Sequence, residues 1–556
     1  MPPADRLAMR AVAFAGWWTP ALAVLAVVEA AAELALPAVL GRAVDAAVGT
    51  APRSASPGGW TAIVVALVLV LIGTRAARDY GTGAAGARSV AALRHALTRH
   101  LFALDPRTVS RRPAGDLVGR LVGQVADAGQ AAPTVVQAGS VLLPTLGSLV
   151  ALTLIDPWLG LTFVAGLLLL AVLLRRFVSE ASDAVAGYQR AQGDLAGRLV
   201  EALTGARTIT AAGTAGREVD RVLTPLPELR RHGGRTWRVL AGAAARGALL
   251  SPLLQLAIIA VGGWLLSAGR LTPGELLAAL QYAAIGAGLG AAIAAVNTAV
   301  RVRAGCGRAA EILAEPARRH GTRDLPPGSG RLELCGVDVR GDDGQPLLDR
   351  VDLRVPGGTL LAVVGPSGAG KSLLAAVAGR LRDPDSGEVR LDGVPLRELT
   401  PSALGRAVGY GFERPVLVGE TVGAAVGCGD DPVPLARSAE VHDVVQRLPE
   451  RYRTPLTGLA LSGGERQRLG LARALRAERL LILDDATSSL DTVTEHRVVD
   501  ALTGHHDQRT RVVVSHRVGT AARADLVAWV DGGRVRAVAP HEALWDDPAY
   551  RAVFRS

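Results

Sequence analysis

The sequence predicts an α-helical membrane bundle of six transmembrane helices with long cytoplasmic extensions, followed by a separate α/β domain. Three observations carry this fold class. Six apolar, nearly uncharged stretches lie within the first 315 residues. Hydrophobicity then falls after Arg303, through the polar, Pro/Gly-rich "EPARRHGTRDLPPGSG". From Arg331 onward, short β-branched runs alternate with helical ones, and one of them opens into "GPSGAGKS". The expected division is 1–315 for the membrane domain, 316–330 for a linker and 331–556 for the α/β domain.

The apolar stretches are read as helices crossing about 30 Å of hydrocarbon. The first runs from Trp18 to Leu40, and the second contains "TAIVVALVLVLIGT" and ends at Arg75. The third runs from Pro133 to Ile155 and the fourth from Trp158 to Leu174, separated by little more than "DP". The fifth, "GALLSPLLQLAIIAVGGWLLSAG", stops at Arg270, and the sixth runs from Leu276 to Val300. A composition 49% hydrophobic but only 4% aromatic suits closely packed membrane helices, in which small residues let backbones approach. The links after spans two and four are long, helical in pattern and rich in arginine, including Arg75, Arg78, Arg88, Arg175 and Arg176. Positive charge marks the cytoplasmic side, so both termini and both long links are expected inside a bacterial plasma membrane. Two intracellular turns are expected, near "RRPAGDLVGRLVGQVADAG" and near "RTITAAGTAGREVD". The charged start, "MPPADRLAMR", is not read as a removable signal peptide.

The net charge of +10 invites a nucleic-acid reading, but the arginines lie between and after apolar runs and form no single basic stripe. Topology explains them better, and no nucleic-acid partner is expected. Cys306, Cys335 and Cys428 are scattered without metal spacing and are read as unpaired thiols. Glu29 and Glu33 share one face of span one. They either line a cavity that favours a cationic group, or they pair with an arginine or sit near headgroup level.

"TLLAVVGPSGAGKSLLAAVAG" reads as a strand, a glycine-rich turn and a helix start, fitting G-x-x-x-x-G-K-[ST]. Gly365, Pro366, Ser367, Gly368, Ala369 and Gly370 form the turn, whose backbone N–H groups and helix N-terminus suit a phosphate. Ser372 supplies a hydroxyl for Mg²⁺. Lys371 is the only lysine in the chain; every other one of the 61 basic residues is arginine. An ammonium is a compact point charge that fits between β- and γ-phosphate oxygens, whereas a forked guanidinium is bulkier and differently directed. Downstream, "RLLILDDATSSLD" is an apolar strand ending at Asp484, placed to hold Mg²⁺, with Asp485 next, where an attacking water is polarised. "LSGGERQRLGLARAL" sets Ser462, Gly463 and Gly464 before a helix, and "VVVSHR" puts His516 at another strand end.

This ordered set resembles the ATPase domain of ABC transporters, and the preceding six-span domain resembles that of exporter-type half-transporters. The resemblance covers essentially the whole chain. It implies an ATP-dependent translocase subunit with ATP and Mg²⁺ as cofactors, a second half-transporter as partner and a lipid bilayer around the spans. Two ATP molecules would be sandwiched between two ATPase domains. Ser462, Gly463 and Gly464 would touch the partner's nucleotide. Lipid, peptide, drug-like metabolite and siderophore all remain open as cargo, import remains open beside export, and a non-transporting regulator is the competing class.

The resemblance also exposes departures. Asp485 stands where the family has a glutamate general base, and Glu413, in "VGYGFERPVL", stands where it has glutamine. Glu413 keeps an acceptor for Mg²⁺ but adds a negative charge. Gly341 stands where an aromatic ring usually stacks on adenine, the segment "RTPLTGLA" is short, and LSGGE replaces LSGGQ. One reading is tolerated drift in an active homodimer. The other is the degenerate member of a heterodimer, which binds ATP but hydrolyses it slowly at its own site.

Overall fold

The computed structural model describes residues 2–48, 57–286, 289–427, 431–488, 497–498 and 508–555. Cys428 and the last residues of "SSLD", 489–491, lie outside the described residues. The chain forms two compact units: residues 1–102 with 113–315, and residues 103–112 with 316–556.

The first unit is helical. Its long helices are Trp18–Val48, Pro57–Ala103, Ala131–Ile155, Pro157–Thr204 and Leu226–Ser267, followed by Pro273–Gly286 and Leu289–Leu313. Three of them, of 47, 48 and 42 residues, are at least twice as long as the roughly 20 residues a bilayer needs. They therefore extend well past the apolar stretches, as the arginine-rich links predict. Among the described residues, Trp18–Val48, Gly59–Ala103 and Ala114–Ile155 are long and apolar enough to cross a membrane, and Pro157–Leu169 and Pro252–Ser267 are shorter apolar helices.

Polar clasps tie the helix ends together. Asp156 caps Pro157–Thr204 by accepting from the Trp158 N–H at 3.0 Å, and its other oxygen accepts from Arg270 Nη2 at 2.5 Å. Asp45, near the end of the first span, accepts from Thr272 Oγ1 at 2.7 Å and from the Gly274 N–H at 2.8 Å. Gly274 lies so close to the first span that a Cβ there would sit 2.0 Å from the Gly41 carbonyl oxygen. Only small residues permit such a crossing.

The first of the two expected turns falls slightly earlier than the sequence pattern places it. Asp105 accepts from the Arg107 N–H at 2.9 Å and caps the short helix Pro106–Ser110, so Asp-Pro stops the 47-residue helix there. Much of "RRPAGDLVGRLVGQVADAG" is instead helical and leads into the third span. The tip, 103–112, packs as part of the second unit, where Arg107 and Arg111 both pair with Asp342. The second turn lies where expected, with Gly213 at φ 65 ending the helix Ala206–Ala212.

The second unit holds two sheets. Strands β1 (Leu332–Arg340), β2 (Pro346–Val355), β4 (Ser386–Leu391) and β5 (Val394–Pro395) form an antiparallel sheet in the order β2-β1-β4-β5. Strands β3 (Leu360–Val364), β6 (Val408–Phe412), β7 (Leu480–Asp484), β8 (Thr510–Val514), β9 (Leu526–Asp531) and β10 (Arg534–Ala539) form the other, in the order β10-β9-β3-β8-β7-β6. All neighbours in it are parallel except β10 with β9. Its central strands are buried on both faces, so they read as unbroken apolar runs such as "LLAVV". The main core lies between the sheets and takes in Leu374, Val377 and Ala378 of the helix that follows the glycine-rich turn.

The segment 316–330 is held firmly against this unit. Arg318 donates its N–H to the Ala103 carbonyl at 2.7 Å and its guanidinium to Asp383 at 3.2 Å, and Arg323 bridges to Leu399. Arg380, almost wholly buried, donates to Asp383, to the Leu396 carbonyl and to the Arg319 carbonyl.

Candidate functional site

Parallel strands deliver their C-terminal ends to one edge of a sheet, where ligands of α/β domains bind. Here the neighbouring strands β3, β8, β7 and β6 bring the glycine-rich turn, His516, Asp484 with Asp485, and Glu413 to that edge.

The turn needs its glycines. A Cβ on Gly365 would sit 2.0 Å from the Val530 carbonyl, and Gly368 and Gly370 have φ of 80 and 98. Pro366, Ser367 and Ala369 complete the loop, and the helix Lys371–Ala378 starts directly behind it. Lys371 is only 6% exposed. Its Nζ donates to the Gly365 carbonyl at 2.8 Å and the Pro366 carbonyl at 2.9 Å. Burial pulls its ammonium below the usual lysine range, and the Asp485 and Asp484 carboxylates push back.

Ser372 Oγ donates to Asp484 Oδ1 at 2.8 Å. This hydroxyl–carboxylate pair beside the phosphate loop is a hard-oxygen donor set that fits Mg²⁺. When bound there, the ion neutralises phosphate charge; Ser372 and Asp484 would hold it.

Two contributors escaped the sequence analysis. Tyr410, on β6, donates its hydroxyl to Asp484 Oδ2 at 3.1 Å, so each oxygen of Asp484 has one donor. The pairing of Phe412 with Asp484 across β6 and β7 sets this contact. Gln467, 1% exposed, sends Nε2 to the Glu413 carbonyl at 3.1 Å and reaches the Asp485 carbonyl and Ser488 Oγ at 3.3 Å. One buried amide thus ties the loop at Glu413 to the turn that holds Asp485 and Ser488. Tyr410→Phe is expected to weaken binding of Mn²⁺, used as a paramagnetic stand-in for Mg²⁺, by about tenfold, the loss of one hydrogen bond to a charged group. Electron paramagnetic resonance reads this, with metal-free ATP labelling unchanged; unaltered Mn²⁺ affinity would refute a positioning role.

Asp485, Glu413, Ser515 and His516 line a pocket of about 310 Å³. Asp485 has φ 49, and its Oδ2 lies 3.8 Å from His516 Nε2. Burial raises its pKa above the ordinary aspartate value; His516 and Lys371 oppose this, and Asp484 and Glu413 add to it. Glu413 is half exposed, and its carboxylate lies 3.6 Å from Arg414.

Ser462, Gly463 and Gly464 are not among the residues lining this pocket. Ser462 and Gly463 are exposed at the N-terminus of the helix Gly463–Ala474. Ser462 and Glu465 form a reciprocal capping box: the Glu465 N–H donates to Ser462 Oγ at 3.2 Å, and the Ser462 N–H donates to Glu465 Oε2 at 2.8 Å. Glutamate and glutamine both perform this role, which explains why LSGGE is a mild change. Gly341 lies in the β1–β2 turn, where its N–H donates to the Gln345 carbonyl at 2.8 Å, and no ring stands at that position.

In the membrane unit, Glu29 is nearly buried and paired twice, with Arg75 Nε at 3.0 Å and Arg78 Nη1 at 2.9 Å; Glu33 approaches Arg75 Nη2 at 3.7 Å. All four line a cavity of about 490 Å³. Of the readings left open by the sequence, the arginine pairing is present, and the paired glutamates also border a cavity.

Comparison with known proteins agrees with this architecture. Residues 20–287 match the family described as the ABC transporter transmembrane region, and residues 348–488 match the one described as ABC transporter. The chain is 47% identical to the ABC transporter ATP-binding protein RamA of Streptomyces coelicolor, over 95% of this chain and 84% of that protein. It is 32% identical to a multidrug efflux ATP-binding/permease protein of Mycobacterium tuberculosis, over 93% of this chain and 44% of that longer protein. A bacterial Atm1-family ABC exporter solved with ATP bound superposes with a TM-score of 0.80 at 23% identity, covering 97% of each chain. With its membrane domain fused to a single ATPase domain in an Atm1-like exporter fold, the chain belongs to the ABC transporter family as a half-transporter.

Proposed function

We propose that this chain is the weakly hydrolysing half of a heterodimeric ABC exporter in a bacterial plasma membrane, with both termini and the ATPase domain on the cytoplasmic side. ABC exporters work as dimers in a lipid bilayer and couple ATP hydrolysis to transport. In this reading the loop from Gly365 to Ser372 binds MgATP, held by Lys371, Ser372 and Asp484. Ser462, Gly463 and Gly464 complete the site of the second half-transporter. The cargo is a small molecule, lipid or peptide.

The observation that carries the proposal is an asymmetry within one site. The binding side is fully built: three glycines at positive φ, a buried lysine, and an Asp484 with donors on both oxygens. The hydrolytic side is not. Asp485 is one methylene short of the family's glutamate, and Glu413 adds a carboxylate to the same pocket. Misplacing a general base costs roughly 10²–10⁴ in rate.

The test is ATP turnover by the purified chain in lipid, alone and after adding a second half-transporter that carries the glutamate. Alone it is expected to bind ATP but turn over slowly, with a large gain on pairing. Brisk turnover alone would favour an active homodimer, and no gain on pairing would end the heterodimer proposal.

A further inference from the structure

The membrane cavity is lined by three carboxylates, Glu29, Glu33 and Asp79, and two guanidiniums, Arg75 and Arg78. A cavity selecting simple cations would leave its acids free; here Glu29 and Glu33 both face arginines, and among the described residues only Asp79 of the three carboxylates forms no ion pair with them. Glu29 has 7% of its side chain exposed and is held at hydrogen-bond distance by both arginines. The Arg75–Glu33 contact is different. At 3.7 Å it is too long for a hydrogen bond, and both ends are reachable, with 54% of the Arg75 side chain and 28% of the Glu33 side chain exposed.

A loosely closed ion pair at membrane depth selects its ligand by charge balance. A ligand carrying only a cation would take Glu33 and leave the free edge of Arg75 without a partner. One carrying only an anion would take Arg75, strand Glu33 and face the excess acid. Each uncompensated charge is costly away from water. A ligand with both groups replaces each member of the pair with the other's equivalent. The rest of the wall mixes apolar residues such as Val136, Val141 and Ile285 with the amides of Gln130 and Gln137, which suit peptide N–H and C=O groups, and the hydroxyls of Thr134 and Ser140, which donate to their own helix and can accept a peptide N–H. The volume falls in the range of small-molecule sites.

Resting on the reading of the chain as a transporter half, we infer that this cavity receives a zwitterionic, peptide-like molecule, its carboxylate on Arg75 and its ammonium on Glu33. The probes are triglycine, N-acetyl-triglycine, triglycine amide and the doubly blocked peptide. Binding is measured at millimolar concentration to the full chain in lipid nanodiscs, alone and with a second half-transporter. Triglycine is expected to bind, and each singly blocked form about tenfold more weakly. Glu33→Gln should remove the preference for a free amine, and Arg75→Gln the preference for a free carboxylate. Both variants leave Glu29 in place with Arg78, and retained ATP photolabelling confirms that they fold. Equal or tighter binding of the amide would reassign the cavity to cations, and of the acetylated form to anions; either overturns the inference. So does no binding of any probe while ATP labelling is intact. Loss of ATP labelling in the wild-type nanodiscs would instead strike the transporter reading itself.

Discussion

Replacing Lys371 with alanine is expected to abolish ATP binding at this chain's own site, read as loss of photolabelling by an azido-ATP analogue. The lysine is buried, and its ammonium is pinned between two loop carbonyls at 2.8 and 2.9 Å. In that position its proton donors turn toward phosphate oxygens with little rearrangement. Charge-assisted contacts contribute roughly 1.5–3 kcal/mol each, so losing two weakens binding by about a hundredfold or more. Lys371→Arg should fail as well, although it preserves the charge. The slot between the Gly365 and Pro366 carbonyls accepts a point charge, and a planar fork would have to displace the glycine loop. A chain that uses arginine for all its other basic residues thus keeps a lysine where arginine's shape is the obstacle. Labelling that persisted in the alanine variant would refute this account.

The parts of the site that the sequence disclosed are those whose chemistry is local. The turn from Gly365 to Ser372 announces itself because its φ angles, its helix start and its lysine lie within eight consecutive residues. Asp484 and His516 were legible because one ends an apolar strand and the other follows the end of a second by two residues, and parallel strands put such ends on one edge. Tyr410 was not legible, since its contact with Asp484 depends on the register between β6 and β7, strands 74 residues apart at the two side chains. Gln467 lies in the helix after "LSGG", yet only tertiary packing aims its amide at two separate loops, the one at Glu413 and the one holding Asp485 and Ser488. The same limit applied in the membrane unit. Helical spacing put Glu29 and Glu33 on one face, but their partner Arg75 lies 46 residues from Glu29 on another helix. The early turn at Asp105 follows from a capping contact that the sequence does contain, in "LDPR", where Asp-Pro ends one helix and starts the next.

The double substitution Asp485→Glu with Glu413→Gln is expected to raise ATP turnover of the chain, in lipid without a second half-transporter, by about 10² or more. Asp485 leaves the end of β7 at φ 49 with its backbone N–H directed at the Val514 carbonyl, so its Cα cannot easily advance toward a nucleotide. The side chain must cover the distance, and one methylene adds about 1.5 Å of reach. In the present arrangement the carboxylate lies 3.8 Å from His516, in a pocket that Glu413 also lines. Glu413→Gln removes a like charge that disfavours ionised Asp485 and restores an amide donor beside it. Each change alone should give a smaller gain, because the longer base would still face Glu413 and the shorter base would still fall short. ATP photolabelling should stay unchanged in all three variants, separating hydrolysis from binding. If the double variant gained nothing while still binding ATP, slow hydrolysis would have to originate outside this pocket. If the wild-type chain already matched it, the site would not be degenerate at all.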